Sequence, residues 1–272
     1  MYSLLLLTIS IFAGFLGSLL GLGGGLIIVP TLTLIFHIDI RYAIAASLIS
    51  IIATSSGAAA SFLRDHLTNL RVAVILEIGT VTGAISGFLI AASLNPQWLY
   101  LLFGSFLFFS ALMMLRKKTN SVSHDEHPWA TKLGLSSSYH GPDGKLVAYK
   151  VANVPIGLIC MYFAGILSAV LGIGSGIFKV LAMDNAMKLP IKVSSATSNF
   201  MIGVTASASA GAYLLRGDIR PEIACPVSLG IIGGSFIGAK ILPKIPAETI
   251  RKIFVVVLGI VAWQMISKGI RG

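Results

Sequence analysis

The glycine-rich stretch GLGGGLIIVP, residues 21–30, interrupts an otherwise apolar part of the chain. A closely similar stretch, GIGSGIFKVL at residues 172–181, follows 151 positions later. Because glycine in a helix interior costs up to about 1 kcal/mol relative to alanine, such clusters predict breaks in the helix. In each copy a short apolar run follows the glycines, and a helix of about 11 residues spans only half of a hydrocarbon core of about 30 Å. The pattern therefore predicts two equivalent broken helices.

The composition indicates an integral membrane protein. Of the 272 residues, 56% are hydrophobic and 11% are charged, and the mean hydropathy is +0.90. This combination lies outside the range of ordinary soluble domains, and most of the other apolar runs have the length of about 17 to 23 residues that crosses a bilayer. The formal net charge is +10, but the basic residues are scattered over loops, so membrane topology explains them and nucleic-acid binding is not expected.

The two glycine motifs belong to a duplication of about 120 residues. A shift of 151 positions aligns residues 14–20 with residues 165–171, and it also aligns a glycine stripe, Gly79, Gly83 and Gly87, with Gly230, Gly234 and Gly238. We therefore divide the chain into a first membrane repeat, residues 1–115, a polar linker, residues 116–150, and a second membrane repeat, residues 151–272. Because its residues recur inside the chain, the apolar start is expected to stay in the mature protein.

The distribution of Lys and Arg predicts that the two repeats have opposite orientations. The linker carries six of these residues, which places it in the cytoplasm. The turn at residues 95–97 has none, whereas the equivalent turn, residues 240–252, has four. Inverted repeats with broken helices are typical of secondary transporters, whose substrate sites lie where the breaks meet. The predicted fold class is an all-α polytopic membrane protein with two inverted-topology repeats and broken or re-entrant helices at the glycine motifs. Alternatively, the glycines only allow close helix packing, which explains the stripe well.

Polar side chains within the apolar runs predict the position of the substrate site, because such groups are costly in hydrocarbon. In the second repeat they lie around the glycine motif and at the start of the next long helix, and the first repeat has a thinner set. Ser and Thr often bond to their own helix, so the cluster carries the prediction. The candidate substrate-binding residues are Gly23, Gly24, Gly25, Ser47, Thr54, Gly174, Ser175, Gly176, Lys179, Ser195, Thr197, Ser198 and Asn199.

Two charged residues fall within the predicted membrane helices. Lys179 lies in the first turn after Gly176, where unpaired N–H groups already carry partial positive charge, so it is suited to a small oxyanion. The alternatives are that Lys179 extends to the membrane surface or that it pairs with Asp184. The second residue, Glu77, either relays protons for coupling or is an interfacial acid that faces water.

We predict no metal site, no cofactor and no enzyme activity. His124, Asp125, Glu126 and His127 resemble metal ligands, but such residues in a polar linker are usually solvated. The sequence has no GxxxxGK[ST], HExxH or GxSxG motif, and neither of its cysteines has CxxC spacing. We therefore expect neither a P-loop ATPase nor an intramembrane enzyme.

On these motifs the chain resembles the TauE/SafE family of membrane proteins over nearly its whole length. The resemblance is carried by GLGGGLIIVP, by GIGSGIFKV and by LPIKVSSATSNFMIGVTASASAGAYLLRGDI at residues 189–219. Members are described as exporters of sulfite and small organosulfonates, so the resemblance implies that substrate class. In the second motif, Ser175 stands where the family pattern has a glycine, and Leu181 stands where it has a proline.

The sequence thus predicts a secondary transporter, by resemblance an exporter, that moves a small anion by alternating access with protons as the candidate coupling ion. It is expected in the bacterial inner membrane, with the small anion and the lipid bilayer as its partners. Two alternatives stay open: a passive anion channel, whose flux is not coupled to a proton gradient, and a membrane-embedded scaffold, which binds no anion. The sequence also leaves open whether copies of the chain form a homo-oligomer.

Overall fold

The described residues of both repeats are mostly helical. The computed structural model describes residues 2–19, 25–64, 67–115, 127–140, 146–241 and 247–271. The first repeat forms α1 (Tyr2–Leu19), α2 (Gly25–Leu34), α3 (Ile40–Arg64), α4 (Leu70–Ser93) and α5 (Pro96–Leu115). The second repeat forms α7 (Val154–Leu171), α8 (Gly176–Leu181), a π-helical turn (Ala182–Ala186), α9 (Ile191–Arg216), α10 (Pro221–Ile241) and α11 (Ala247–Arg271). The all-α prediction for the membrane repeats is therefore confirmed.

The duplication in the sequence is matched by a duplication in the fold. The helices α2, α3, α4 and α5 begin 151 positions before α8, α9, α10 and α11, respectively. The helix contacts between the halves are also equivalent. The helix α1 packs along α10 as α7 packs along α4, and the equivalent helices α3 and α9, and α5 and α11, pack on each other. Each half thus contributes matching contacts to one helical bundle.

The glycine stripe allows two of these helix pairs to approach closely. A Cβ atom at Gly83 of α4 would lie 2.0 Å from the carbonyl oxygen of Tyr162 on α7. At the equivalent position, a Cβ atom at Gly234 of α10 would lie 1.9 Å from the carbonyl oxygen of Ile11 on α1. Both distances are far below van der Waals contact, so only glycine fits. The stripe therefore serves helix packing, as small residues commonly do in membrane helices.

The outer face of α4 is apolar and its inner face carries polar groups. Val74, Ile78 and Leu89 are exposed, whereas Glu77 and Thr80 are buried. This pattern is the reverse of a soluble amphipathic helix and is typical of a helix whose outer face contacts lipid. Among the described residues, α4 and α7 are also long and apolar enough to cross a membrane by length and composition.

The described part of the linker is folded, which the sequence analysis did not predict. It forms α6 (Pro128–Lys132) and an antiparallel hairpin of β1 (Ser137–His140) and β2 (Leu146–Tyr149). Leu135 and Tyr149 pack in one cluster with Val72 of α4. Asn69 accepts a hydrogen bond from the Val72 backbone N–H (3.1 Å), and its Nδ2 donates to the Leu135 carbonyl and the Tyr149 hydroxyl, both at 2.8 Å. Burial of this contact raises the pKa of the Tyr149 phenol.

Candidate substrate and ion-coupling site

The second glycine motif forms a break between two helices. The helix α7 ends at Leu171 and α8 begins at Gly176. Between them, Gly172, Gly174 and Ser175 have φ angles of 65°, 69° and 48°. Glycine adopts this left-handed region freely, but for serine it is strained. The Ser175 hydroxyl is buried, and within the described part of the chain no group hydrogen-bonds to it. Strain and an unpartnered buried hydroxyl both mark this break as a candidate binding position.

The segments on either side of the break form a hairpin. The backbone N–H of Ala152, before α7, donates to the carbonyl of Met187, after the π-helical turn, at 3.0 Å. The Asn153 side chain donates to the Ala186 carbonyl beside it, at 3.2 Å. Both ends of the α7–α8 segment therefore lie together, and the glycine break forms the tip of the hairpin.

The second glycine motif contacts the start of α2, which is the described end of the first motif. A Cβ atom at Gly25, the first residue of α2, would lie 2.9 Å from the Gly172 carbonyl oxygen and 2.8 Å from the Ser47 hydroxyl oxygen. The Ser47 hydroxyl in turn donates to the Gly172 carbonyl at 2.7 Å. A small cavity beside this contact is lined by Leu26 of α2 and by Ser175 of the break. The starts of α2 and α8 thus face a common space.

The predicted polar residues divide into two groups. The Ser198 hydroxyl donates to the Gly176 carbonyl at 3.2 Å, which places it at the break. In contrast, the Thr197 hydroxyl accepts from the backbone N–H of Asn69 at the linker end of α4. The Asn199 amide donates to the Ser195 carbonyl within α9, at 3.0 Å.

The remaining predicted residues complete this picture. The Thr54 hydroxyl lies 3.1 Å from carbonyl oxygens of its own helix, so it satisfies its hydrogen bonding locally in part. Gly23 and Gly24 lie outside the described residues. The predicted residues that the structure brings together around the break are Gly25, Ser47, Gly174, Ser175, Gly176 and Ser198.

Lys179 is buried completely, with an exposed fraction of 0%. Its Nζ donates to the Met201 carbonyl at 3.0 Å and to the Thr205 hydroxyl, both on α9. Its counter-ion is Glu77 on α4, whose Oε1 lies 3.7 Å from Nζ. Lys179 therefore does not extend to the membrane surface, and its charge is balanced by the first repeat.

Glu77 is 7% exposed, so it does not face water as an interfacial acid would. Its Oε2 accepts a hydrogen bond from the Thr80 hydroxyl at 2.7 Å. The Thr205 hydroxyl lies 3.1 Å from each carboxylate oxygen and also accepts from Lys179. Thr205 therefore bridges the carboxylate and the ammonium group.

The pair joins three helices from both repeats at one buried point. An isolated buried ion is costly, and removing one partner of a buried pair typically destabilises a protein by about 3 to 5 kcal/mol. With both charges present the site is neutral. A change in the proton on Glu77, or a new anion at Lys179, alters this balance, so the arrangement suits a site that exchanges ions.

Sequence reasoning treated Glu77 and Lys179 separately and did not name Thr205 or Thr80. A signal for the pairing was present, because each charge stood within an apolar run and a buried charge needs a partner. Nothing in the sequence showed that α4 and α8 meet across 102 positions of chain. Thr205 was one of many hydroxyls on α9, and only the geometry separates it from its neighbours.

The candidate metal ligands of the linker form no cluster in the structure. Of the four residues, His127 alone lies within the described ranges, where it caps α6 by accepting from the Trp129 backbone N–H. Across the part of the chain that the structure describes, no three potential ligands lie together.

A helix broken inside a bundle, beside a buried ion pair and beneath an apolar outer face, is typical of membrane transport proteins. The model of the sulfite exporter TauE/SafE family matches residues 6–265, so this chain belongs to that family. The predicted family is therefore confirmed. No solved structure matches the chain.

Relatives in three microorganisms are similar over nearly the full length of both chains. The probable membrane transporter protein YunE of Bacillus subtilis is 27% identical over 98% of this chain and 98% of its own length. The probable membrane transporter protein MJ0441 of Methanocaldococcus jannaschii is 27% identical over 96% and 94%, respectively. A probable membrane transporter protein of Haemophilus influenzae is 28% identical over 98% and 99%. These names agree with a membrane transporter and specify no substrate.

Proposed function

We propose that the chain is a secondary transporter that exports a small anion, sulfite or an organosulfonate, by alternating access. The observation that carries this proposal is Lys179, a fully buried cation just after a helix break, held against a carboxylate of the other repeat. A buried cation attracts an anion strongly because little water screens it. The family description supplies the substrate class.

The anion site is proposed where the break before α8 meets the start of α2, one helical turn from Lys179, whose backbone N–H donates to the Ser175 carbonyl at 3.1 Å. The unpartnered Ser175 hydroxyl lines the cavity there, and the Ser47 and Ser198 hydroxyls lie beside it. The Ser175 hydroxyl can donate to a sulfonate or sulfite oxygen, whereas the Ser47 and Ser198 hydroxyls already donate to backbone carbonyls; the Lys179 ammonium supplies the charge. Gly25, Gly174 and Gly176 let the segments around this space pack closely, since a Cβ atom at any of them would lie within 2.9 Å of a neighbouring side chain.

We also propose that the two repeats are inverted in the inner membrane and that Glu77 carries the coupling proton. At one end of the bundle, Arg71 donates to the Gly134 carbonyl of the linker. At the other, Arg220 donates to the Tyr42 hydroxyl and Lys268 donates to the Thr33 carbonyl. The first of these ends carries the basic linker, which supports a cytoplasmic position for it.

The transport proposal is tested by exchange of radiolabelled sulfite and methanesulfonate across proteoliposomes that contain the purified protein. Lys179→Gln should weaken anion binding about ten-fold or more, since a charge-assisted hydrogen bond is worth roughly 1.5 to 3 kcal/mol. Lys192→Gln is the matched control, because Lys192 is exposed at the start of α9. Equal exchange by wild type and Lys179→Gln would contradict the proposed site.

The inverted topology is tested by cysteine labelling at His37 and Lys188. These residues occupy equivalent loops, 151 positions apart, and share positive φ angles of 53° and 59°. Single cysteines are placed there in a background that lacks Cys160 and Cys225. A membrane-impermeant reagent should label the two positions from opposite sides. Labelling of both from the same side would exclude inverted repeats.

A further inference from the structure

We propose that the substrate anion and Glu77 compete for Lys179, so that each anion crosses together with one proton. The inference rests on the proposed function and specifies its coupling: the transporter is an anion–proton symporter, and it exports when the outward anion gradient exceeds the opposing inward proton gradient. The starting point is the set of groups that surround the Lys179 ammonium. It donates to the Met201 carbonyl and the Thr205 hydroxyl, and its ion-pair partner among the described residues is the Glu77 carboxylate.

Glu77 is the partner that an anion can replace. The distance of 3.7 Å from Lys179 Nζ to Glu77 Oε1 is longer than a hydrogen bond, whereas the Met201 carbonyl accepts at 3.0 Å. The carboxylate keeps its own hydrogen bonds to Thr80 and Thr205 when the ammonium turns away. An incoming anion therefore displaces Glu77 from Lys179 and leaves the hydrogen bonds to Met201, Thr80 and Thr205 in place.

Charge balance then requires a proton. An anion at Lys179 beside an ionised Glu77 would place two negative charges against one buried cation, and like charges in such a setting are strongly unfavourable. A proton that Glu77 takes up from the aqueous phase restores neutrality. Before binding, the site holds the ionised Glu77–Lys179 pair; after binding, it holds a neutral Glu77 carboxyl group and a lysine–anion pair. Thr80 and Thr205 fit both states, because a hydroxyl both donates and accepts.

Glu77 is the group that this balance selects. The charged residue of α8 that faces Glu77 is Lys179, its ion-pair partner. The other titratable or charged residues of the elements packed around it are Arg71 of α4, Cys160 and Tyr162 of α7, Lys192, Tyr213 and Arg216 of α9, and Asp184 of the π-helical turn. Of these, Tyr162 and Tyr213 hydrogen-bond to Ser86 and to the Ala169 carbonyl, respectively.

The internal repeat supports a stoichiometry of one. The positions equivalent to Glu77, Lys179 and Thr205, 151 residues away, are Ser228, Ile28 and Thr54. These symmetry-equivalent positions thus hold two hydroxyl groups and no charge. The hydroxyl oxygens of Ser228 and Ser50 lie 3.3 Å apart. One ion pair accounts for one proton per anion.

The test counts protons with methanesulfonate, a strong acid whose anion cannot carry the proton itself. Proteoliposomes contain a pH-sensitive dye, and valinomycin with potassium clamps the membrane potential. An inward methanesulfonate gradient should acidify the lumen by one proton per anion. Glu77→Gln should still exchange labelled methanesulfonate without moving protons. Glu222→Gln is the matched control, since Glu222 is exposed at the start of α10, and it should behave as wild type.

A binding measurement in detergent provides a second arm. In wild type, methanesulfonate affinity should rise about ten-fold per pH unit as the pH falls from about 8 to about 6, because one proton is taken up with each anion. In Glu77→Gln the affinity should be higher at about pH 8 and independent of pH over this range. Wild-type proton counting needs no variant, so the one-to-one stoichiometry is tested even where Glu77→Gln folds poorly.

The outcomes separate the two proposals. Methanesulfonate exchange without lumen acidification, or proton movement that persists in Glu77→Gln, overturns the symport inference and leaves the transporter intact. If sulfite is exchanged and methanesulfonate is not, the count is the difference in protons between wild type and Glu77→Gln, and a difference of zero overturns the inference. No exchange of either anion overturns the proposed function and the symport inference with it.

Discussion

Removal of one charge from the Glu77–Lys179 pair should destabilise the fold far more than removal of both. Lys179 is 0% exposed and Glu77 is 7% exposed, so the charge left behind has almost no access to water. Loss of one partner of a buried pair costs about 3 to 5 kcal/mol, whereas replacement of both by neutral groups of similar size is often close to neutral. We therefore expect this cost in Lys179→Met and in Glu77→Gln, and a double variant within about 1 kcal/mol of wild type.

The two single variants should differ for a reason visible in the structure. In Lys179→Met, Glu77 can take up a proton and keep its contact with Thr80, which places this variant at the low end of the range. In Glu77→Gln, Lys179 retains the Met201 carbonyl and Thr205 as partners but no counter-ion. A free-energy loss of about 3 to 5 kcal/mol lowers the melting temperature by roughly 6 to 20 °C, taken at about 2 to 4 °C per kcal/mol.

The assay is thermal unfolding of the purified protein in detergent, with the four members of the cycle measured side by side. Lys192→Met and Glu222→Gln are the controls, because both residues are exposed, and they should unfold within about 2 °C of wild type. Sulfite or methanesulfonate should restore part of the loss in Glu77→Gln, since the anion supplies the missing counter-charge. Single variants as stable as wild type, or a double variant equal to the sum of both losses, would refute the buried pair.

Three further predictions concern positions outside the pair. Gly234→Ala should lower the melting temperature by several degrees, because its Cβ would lie 1.9 Å from a carbonyl oxygen. Gly233→Ala is the control and should be neutral or slightly stabilising, since no atom lies within 4 Å of its Cβ position. Equal effects of the two variants would contradict the close packing at Gly234. Thr205→Val should destabilise the protein by about 1 to 3 kcal/mol, and Thr205→Ser should restore stability, since only the hydroxyl bridges the charges. Asn69→Asp keeps the acceptor that caps α4 but loses the amide donors to the Leu135 carbonyl and the Tyr149 hydroxyl of the linker. Proteolysis of the linker should therefore accelerate without a change in helix content. Unchanged cleavage would show that these two hydrogen bonds do not hold the linker on α4.

The sequence predicted the helical repeats well because their signals are periodic and local. The 151-residue offset found between the glycine motifs also relates the starts of most helices. The glycine stripe predicted close packing, and Gly83 and Gly234 make equivalent contacts in the two halves. Such features follow from composition and spacing, which a single chain displays directly.

Long-range partners and the folded linker were not predictable in the same way. The contact between Glu77 and Lys179 depends on how α4 and α8 both pack against α7 and α9, and no local pattern encodes that arrangement. The linker was treated as a polar loop because of its charges, but Tyr149 and Leu135 supply the apolar contacts that dock it on α4. A few buried side chains are enough to order a segment whose average composition is polar.

The two halves of the chain share the residues that determine helix packing and differ at the residues of the ion pair. Positions that shape the bundle are the same in both halves, as Gly83 and Gly234 are, because each half must build the same helix contacts. The position of Glu77 holds Ser228 in the other half, although the helix around it packs in the same way. A buried charge contributes little to stability that a neutral residue could not supply, so packing alone does not explain a glutamate at one position and a serine at the other. The difference between the halves therefore points to the ion pair, more than to the glycine motifs that both halves share, as the place where the activity of this chain is determined.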